Sequence, residues 1–204
     1  MSTKRLLAEQ VQKILTPRVT TDAKIDIREC ELAVAQVRDN IAYTFLTAAA
    51  YQDELDLFGG FVSSPDEYTI QKGDDGNYFV QLTSTPLDLP KNMGVYAVYG
   101  KEDMSTQYLP VGINFTAMFK ESEARDNEGN PAFALHADKL IFHGDVTEGT
   151  GLYVVMVKSG FDIPSRGFFP IPPSYEREVV RGALEMLAPE KQIPEDLIND
   201  GIDN

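Results

Sequence analysis

Apolar residues recur at helical spacing from the start of the chain. Leu7, Val11 and Ile14 fall on one side, with Leu6 and Leu15 widening the stripe, so residues 3–16 are expected to form an amphipathic helix. Ser2 or Thr3 is placed to cap it and Pro17 to end it. A helix so short is marginal alone in water, so its stripe must be covered by its own domain or by a neighbouring subunit. A longer helix is expected at about 26–52, with Leu32, Val34, Val37, Ile41, Phe45 and Leu46 on its apolar face. Asp26 and Glu29 put negative charge in its first turn, which suits the helix dipole. Ala48, Ala49 and Ala50 offer small residues for close approach of another helix, and Gly59-Gly60 breaks the pattern.

From about 67 to 160 the period shortens to that of strands. Tyr68–Lys72 and Tyr78–Leu82 flank Gly73-Asp74-Asp75-Gly76-Asn77, a hairpin turn signal. Pro86 to Pro90 reads as a stiff bend, and Val95–Tyr99 as a strand rich in β-branched and aromatic residues. Tyr108–Val111 and Ile113–Phe119 are further strand candidates, and 126–131 is a loop. Ala134–Phe142 and Leu152–Lys158, separated by Gly144 to Gly151, suggest a second, longer hairpin. Short strands divided by turn clusters favour an antiparallel sheet over βαβ units. Phe168 to Pro173 forms an apolar connector into a helix at about 174–188, capped by Ser174, with Val179, Val180, Ala183, Leu184 and Leu187 inward and Pro189 as the stop.

The expected fold is therefore α+β: N-terminal helices, a central antiparallel β-sheet (sandwich or barrel-like), a C-terminal helix and an acidic tail. The expected organisation is an N-terminal helical segment at 1–60 and a β-rich domain at 61–169. A C-terminal helix at 170–188 packs with the N-terminal helices, and an acidic docking tail follows at 189–204. Leu197, Ile198 and Ile202 punctuate that tail, which carries five acids against one base. A solvated tail needs no large aliphatics, so these three and the helix-one residues Leu7, Val11 and Ile14 are the candidate partner-docking residues.

Composition narrows the function. The chain has 204 residues and 43% hydrophobic residues, enough to bury roughly 70% of its unfolded surface. Its formal net charge is -14, from 32 acidic and 18 basic residues. Such a surface repels nucleic acid and anionic membrane at long range, yet suits a conduit that DNA passes without sticking. The single cysteine, Cys30, excludes an intramolecular disulfide and reads as a buried thiol. No run approaches the ~20 apolar residues of a membrane span, and no signal peptide is expected.

Little in the chain reads as chemistry. There is no phosphate-binding glycine loop and no Gly-x-Ser-x-Gly elbow. His136 and His143 are the only histidines, with no cysteine near them to build a zinc site. Asp22-Ala23-Lys24 precedes Pro65-Asp66, the wrong order for a restriction-type nuclease. Asp74 to Asn77 and Asp126 to Gly129 lack the spacing of a calcium loop and read as turns. A hydrolase built on a carboxylate pair has only the surplus of acids behind it. Arg177 and Arg181 lie four apart on one face of the last helix, a solvated face or a salt-bridge site for another subunit. No catalytic residue, cofactor or metal is expected.

Three stretches carry a resemblance: Lys4 to Val11, Pro86 to Tyr99, and the end, where Pro170-Ile171-Pro172-Pro173 and a helix lead to Ile193 through Asn204. They resemble virion structural proteins of tailed bacteriophages, particularly crAss-like and related phages of Bacteroidetes hosts. The resemblance implies a non-enzymatic subunit of the head-to-tail region, a neck or connector ring near the portal. It also implies other copies of itself in a ring, commonly twelvefold, with portal or adjacent neck and tail proteins as partners. Genomic DNA would pass without specific binding, and no membrane would be involved. The protein would be made in the host cytoplasm and end in the virion. Known adaptors of that region are often mainly helical, whereas this chain has a large β portion. A tail or capsid-decoration protein binding through strands that carry Tyr96, Tyr99 and Tyr108 is the alternative.

Overall fold

The computed structural model describes residues 2–16, 25–52, 60–90, 93–112 and 131–188, with only the backbone at 50–52. The expected strand Ile113–Phe119, the loop at 126–131 except Pro131, and the tail at 189–204 lie outside the described residues. The chain divides into two compact units, one of Met1–Ile41 with Ile163–Asn204 and one of Ala42–Asp162.

The described part of the first unit is helical. Helix α1 spans Lys4–Leu15, and of the two candidate caps it uses Thr3, whose side chain accepts the Leu6 N–H at 3.1 Å. Helix α2 spans Ile27–Gln52 and crosses the division at Ile41. Asp26 lies just before it rather than in its first turn, and its carboxylate accepts the Arg28 N–H at 3.0 Å. Helix α3 spans Pro173–Leu187. It starts one residue earlier than Ser174 could cap it. Pro172 takes the capping position without a side-chain bond, and Pro173 supplies the pre-set backbone of a first helical residue.

Helix α1 packs on α3. Leu7, Ala8, Val11 and Leu15 of α1 and Val179, Ala183 and Leu187 of α3 are all buried. α2 approaches α3 at a glycine: a Cβ on Gly182 would sit 2.7 Å from Val37 Cγ1. The α2 stripe differs from the expected one at Leu32, which is 56% exposed, while Arg38 two turns on is fully buried. Its buried line runs through Cys30, Val34, Val37 and Arg38.

Among the described residues of the second unit eight strands form one sheet: β1 (Asp66–Thr69), β2 (Gln71–Lys72), β3 (Tyr78–Gln81), β4 (Val95–Gly100), β5 (Gln107–Pro110), β6 (Ala132–His136), β7 (Lys139–His143) and β8 (Gly151–Met156). Their order is β1-β8-β4-β5-β6-β7-β3-β2. The two outermost strands are thus consecutive in the chain, separated only by Ile70. The run Asp66–Lys72 pairs with β8 through its first half and with β3 through its second. The amide of Ile70 donates to Thr150 and its carbonyl accepts from Gly149, both at 3.0 Å, so pairing continues through the bend. The result is a nearly closed barrel, and the fold is α+β with N-terminal and C-terminal helices as expected.

The sheet departs from the expected antiparallel pattern at one seam, since β5 pairs with β6 in parallel. Parallel neighbours need a long crossover, and the stretch from Val111 to Pro131 provides the length. Val95, Val98, Tyr108, Phe133, Leu140, Phe142, Leu152, Val154 and Met156 fill the core. Val95 and Val98 both point inward although they stand three positions apart, which would put them on opposite faces of a regular strand. A register shift between Val95 and Ala97 absorbs Tyr96, which is left 42% exposed.

The expected Ala134–Phe142 strand is instead a hairpin of its own. β6 and β7 pair from Ala132↔His143 to His136↔Lys139 across a two-residue turn, Ala137-Asp138. β7 then pairs with β3, and β8 pairs with β1 and β4, so the hairpin expected across Gly144–Gly151 does not form. Ala137 takes φ 54°, a left-handed conformation that costs an L-residue about 1–2 kcal/mol. Ala137→Gly removes that strain and adds roughly 0.5–1 kcal/mol of chain entropy cost. It is expected to raise Tm by about 2 °C; an unchanged or lower Tm in calorimetry would show an unstrained turn.

Candidate functional site

The helical unit carries the densest set of features that the fold does not consume. Its scaffold is organised by Arg38. The guanidinium donates to Asp39 Oδ1 at 2.9 Å and, through Nε and Nη2, to the Pro170 carbonyl at 3.2 Å each. Its carbon lies 5.9 Å from the centre of the Phe169 ring. Burial lowers the Arg38 pKa from its ordinary value, against the raising effect of Asp39. Arginine remains charged in spite of this. The charge therefore ties α2 to the connector that delivers α3.

On the outside of this scaffold α1 and α3 leave a groove of about 650 Å³. Ile14, Val180 and Leu184 form its apolar floor, with Ser174, Arg177 and Arg181 along it. Ile14 is 39% exposed. Arg177 has no ion-pair partner among the described residues. Arg181 has only Glu185, at 3.6 Å, with both side chains 71% exposed. Such a pair is worth little in water. The groove therefore combines uncovered aliphatic surface with two cations one helical turn apart.

A second feature lies at one end of the barrel. Lys101 Nζ meets Glu67 Oε2 at 2.5 Å, and the Tyr153 hydroxyl donates to Glu67 Oε1 at 3.3 Å. The Lys101 bond holds the Glu67 carboxylate below its ordinary pKa and raises that of Lys101. Open hollows of about 440 and 460 Å³ flank Lys101. Tyr99 and Tyr153 pack beside it with ring centres 5.7 Å apart. The nearby Asp103 carboxylate is lowered mainly by the Ser105 and Thr106 hydroxyls, which is turn chemistry.

Of the candidate docking residues, Leu7 and Val11 are 1% and 0% exposed, spent inside the protein's own helices. Ile14 alone of that trio faces outward, because the stripe turns from the buried side of α1 toward the groove. Leu197, Ile198 and Ile202 lie outside the described residues. His136 is exposed at the end of β6 and His143 is buried at the end of β7. Among the described residues no cluster of three or more His, Cys, Asp or Glu side chains could hold a metal ion. Asp75 caps the 73–77 turn by accepting from Asn77 N–H and Nδ2 at 3.1 and 2.7 Å. No described helix is long and apolar enough to cross a membrane. Arg38 gave no sequence signal, because nothing local separates a buried arginine from a solvated one on a long helix. Arg177 and Arg181 were visible by their spacing.

The sequence matches no protein-family model. It also matches no curated protein.

Proposed function

We propose that this chain is a non-enzymatic structural subunit of a tailed-phage virion, forming a connector or neck ring around the DNA channel next to the portal. The observation that carries the reading is the outward groove of α1 and α3. A ring is closed by a heterologous contact, in which each subunit offers two different surfaces to its neighbours. The groove is one such surface, apolar with a basic margin on a chain of net charge -14. The tail, with its acids and aliphatics, is a second. The acidic balance also suits a wall past which DNA slides, and the resemblance of both chain ends to phage virion proteins points the same way. Other copies of the chain and the portal or adjacent neck proteins are then its partners, and the virion its location.

Light scattering of the purified protein, alone and mixed with a candidate portal protein, tests this. A ring-sized mass in either sample is expected; a stable 22.7 kDa monomer that ignores the portal would overturn it. Deleting residues 189–204 is expected to reduce incorporation into virions, read by immunoblotting purified particles. Normal incorporation would remove the tail from the assembly contact.

The barrel favours a second reading, a tail or capsid-decoration protein. The patch of half-buried Tyr99 and Tyr153 beside exposed Glu67 and Lys101 supports it. Tyr108, part of its original motive, is buried in the core, where burial raises its pKa. Immunogold label on capsid faces or tail tip, with none at the neck, would favour this second reading.

A further inference from the structure

We infer that in the isolated subunit, before assembly, the α1/α3 groove receives the acidic tail of its own chain, with tail aliphatics on Ile14, Val180 and Leu184 and tail carboxylates against Arg177 and Arg181; on ring closure a neighbour's tail takes its place. This rests on the reading of the tail as a docking segment and names the surface that receives it.

Three observations converge on that occupant. The first is charge. The sixteen residues after Ala188 carry Glu190, Glu195, Asp196, Asp200 and Asp203 against Lys191 alone. The groove presents two arginines and one acid, Glu178. Elsewhere the chain is acidic, so a negatively charged segment finds few such places on it. The second is pattern. Asp196 and Asp200 are four residues apart with Leu197 and Ile198 between them, and Ile202 follows. Along α3, Arg177 and Arg181 are four apart with Val180 between them, and Leu184 follows. Each side interleaves aliphatic and charged groups, with opposite sign. The third is reach. The groove runs from Ser174 to Leu184, about 15 Å along the helix. Its near end is only five residues before Pro189, where the tail begins. Sixteen residues can span up to roughly 53 Å, so the tail can double back along the whole groove.

Own-chain docking is favoured over exchange with a second copy by concentration. A short flexible connection holds its segment at an effective concentration of the order of mM, far above that of separate chains in dilute solution. A groove too weak to capture a free peptide can still hold a tethered one.

The test uses the full chain. A nitroxide spin label is placed at Asn199→Cys; Cys30 is fully buried and is spared by brief labelling of the folded protein. In nitrogen-15 spectra the amide peaks of Ile14, Val180 and Leu184 should vanish when label and isotope share a chain, and return when the label is reduced. They should stay sharp when labelled unenriched chains are mixed with unlabelled enriched ones. The double substitution Arg177→Glu, Arg181→Glu reverses two exposed charges and should bring the peaks back. Peaks that survive in the first sample would overturn the inference, as would peaks that persist unrestored in the double variant. Equal loss in the mixed sample would assign the groove to a second copy instead. The isolated protein suffices, so failure here is distinct from failure to form a ring or to enter the virion.

Discussion

Arg38→Ala is expected to cost about 3–5 kcal/mol of stability, the largest single loss in the helical unit. The side chain is fully buried, and it donates to Asp39 and twice to the Pro170 carbonyl. Truncation removes the guanidinium from beside the Asp39 carboxylate, whose side chain is 12% exposed, and opens a volume in its place. It also strips the Pro170 carbonyl of its donor and opens the space over the Phe169 ring. Arg38→Lys should recover little. One ammonium cannot serve Asp39 and Pro170 in the geometry of the guanidinium fork. Urea unfolding measures the loss, and amide exchange in α3 locates it, because the connector is what Arg38 holds. A loss below about 1 kcal/mol would mean that water or rearranged neighbours replace the guanidinium without penalty.

Gly94→Ala is expected to be nearly as damaging to the barrel, at about 3 kcal/mol. A Cβ there would lie 2.1 Å from the Leu87 carbonyl oxygen and 3.2 Å from its carbon, so the obstacle is backbone and no rotamer change relieves it. Leu87 and Gly94 are held at this spacing by Val157, whose amide donates to the Gly94 carbonyl at 2.8 Å and whose carbonyl accepts the Leu87 N–H at 2.7 Å. The substitution must break one of these bonds. Faster exchange of the Val157 and Leu87 amides would show which one yields. Unchanged exchange and stability would mean that the Pro86–Pro90 bend can move outward at no cost.

Where local patterns carry structural information, the sequence was readable. The α1 stripe, the proline-led α3 and the Gly73–Asn77 turn all follow from residue types whose conformational preferences act within a few positions. What stayed hidden is set at long range. Ala137-Asp138 carries no glycine or asparagine, so the β6/β7 turn left no mark, and its residue strain is sustained by the pairing on both sides. Closure through Ile70 depends on β8 and β3 meeting the same short run. Leu32, expected on the apolar face, lies exposed and Arg38 is buried because partners distant in sequence decide which α2 positions are covered. The candidate site was half visible. Arg177 and Arg181 announced themselves by spacing, whereas the withdrawal of Leu7 and Val11 into the interior required knowing that α3 covers α1.

The bend at Ile70 bears on what happens when copies of the chain are crowded together. An ordinary open sheet ends in two strands whose unpaired amides and carbonyls can template another chain, a route to aggregation. Here both terminal strands are one stretch of backbone, with each half already paired to a different neighbour. Crowding many copies into a small volume therefore gives adjacent barrels little opportunity to fuse edge to edge. Association is left to side-chain surfaces, which can be tuned by charge and shape, and is kept away from the promiscuous bonding of the main chain.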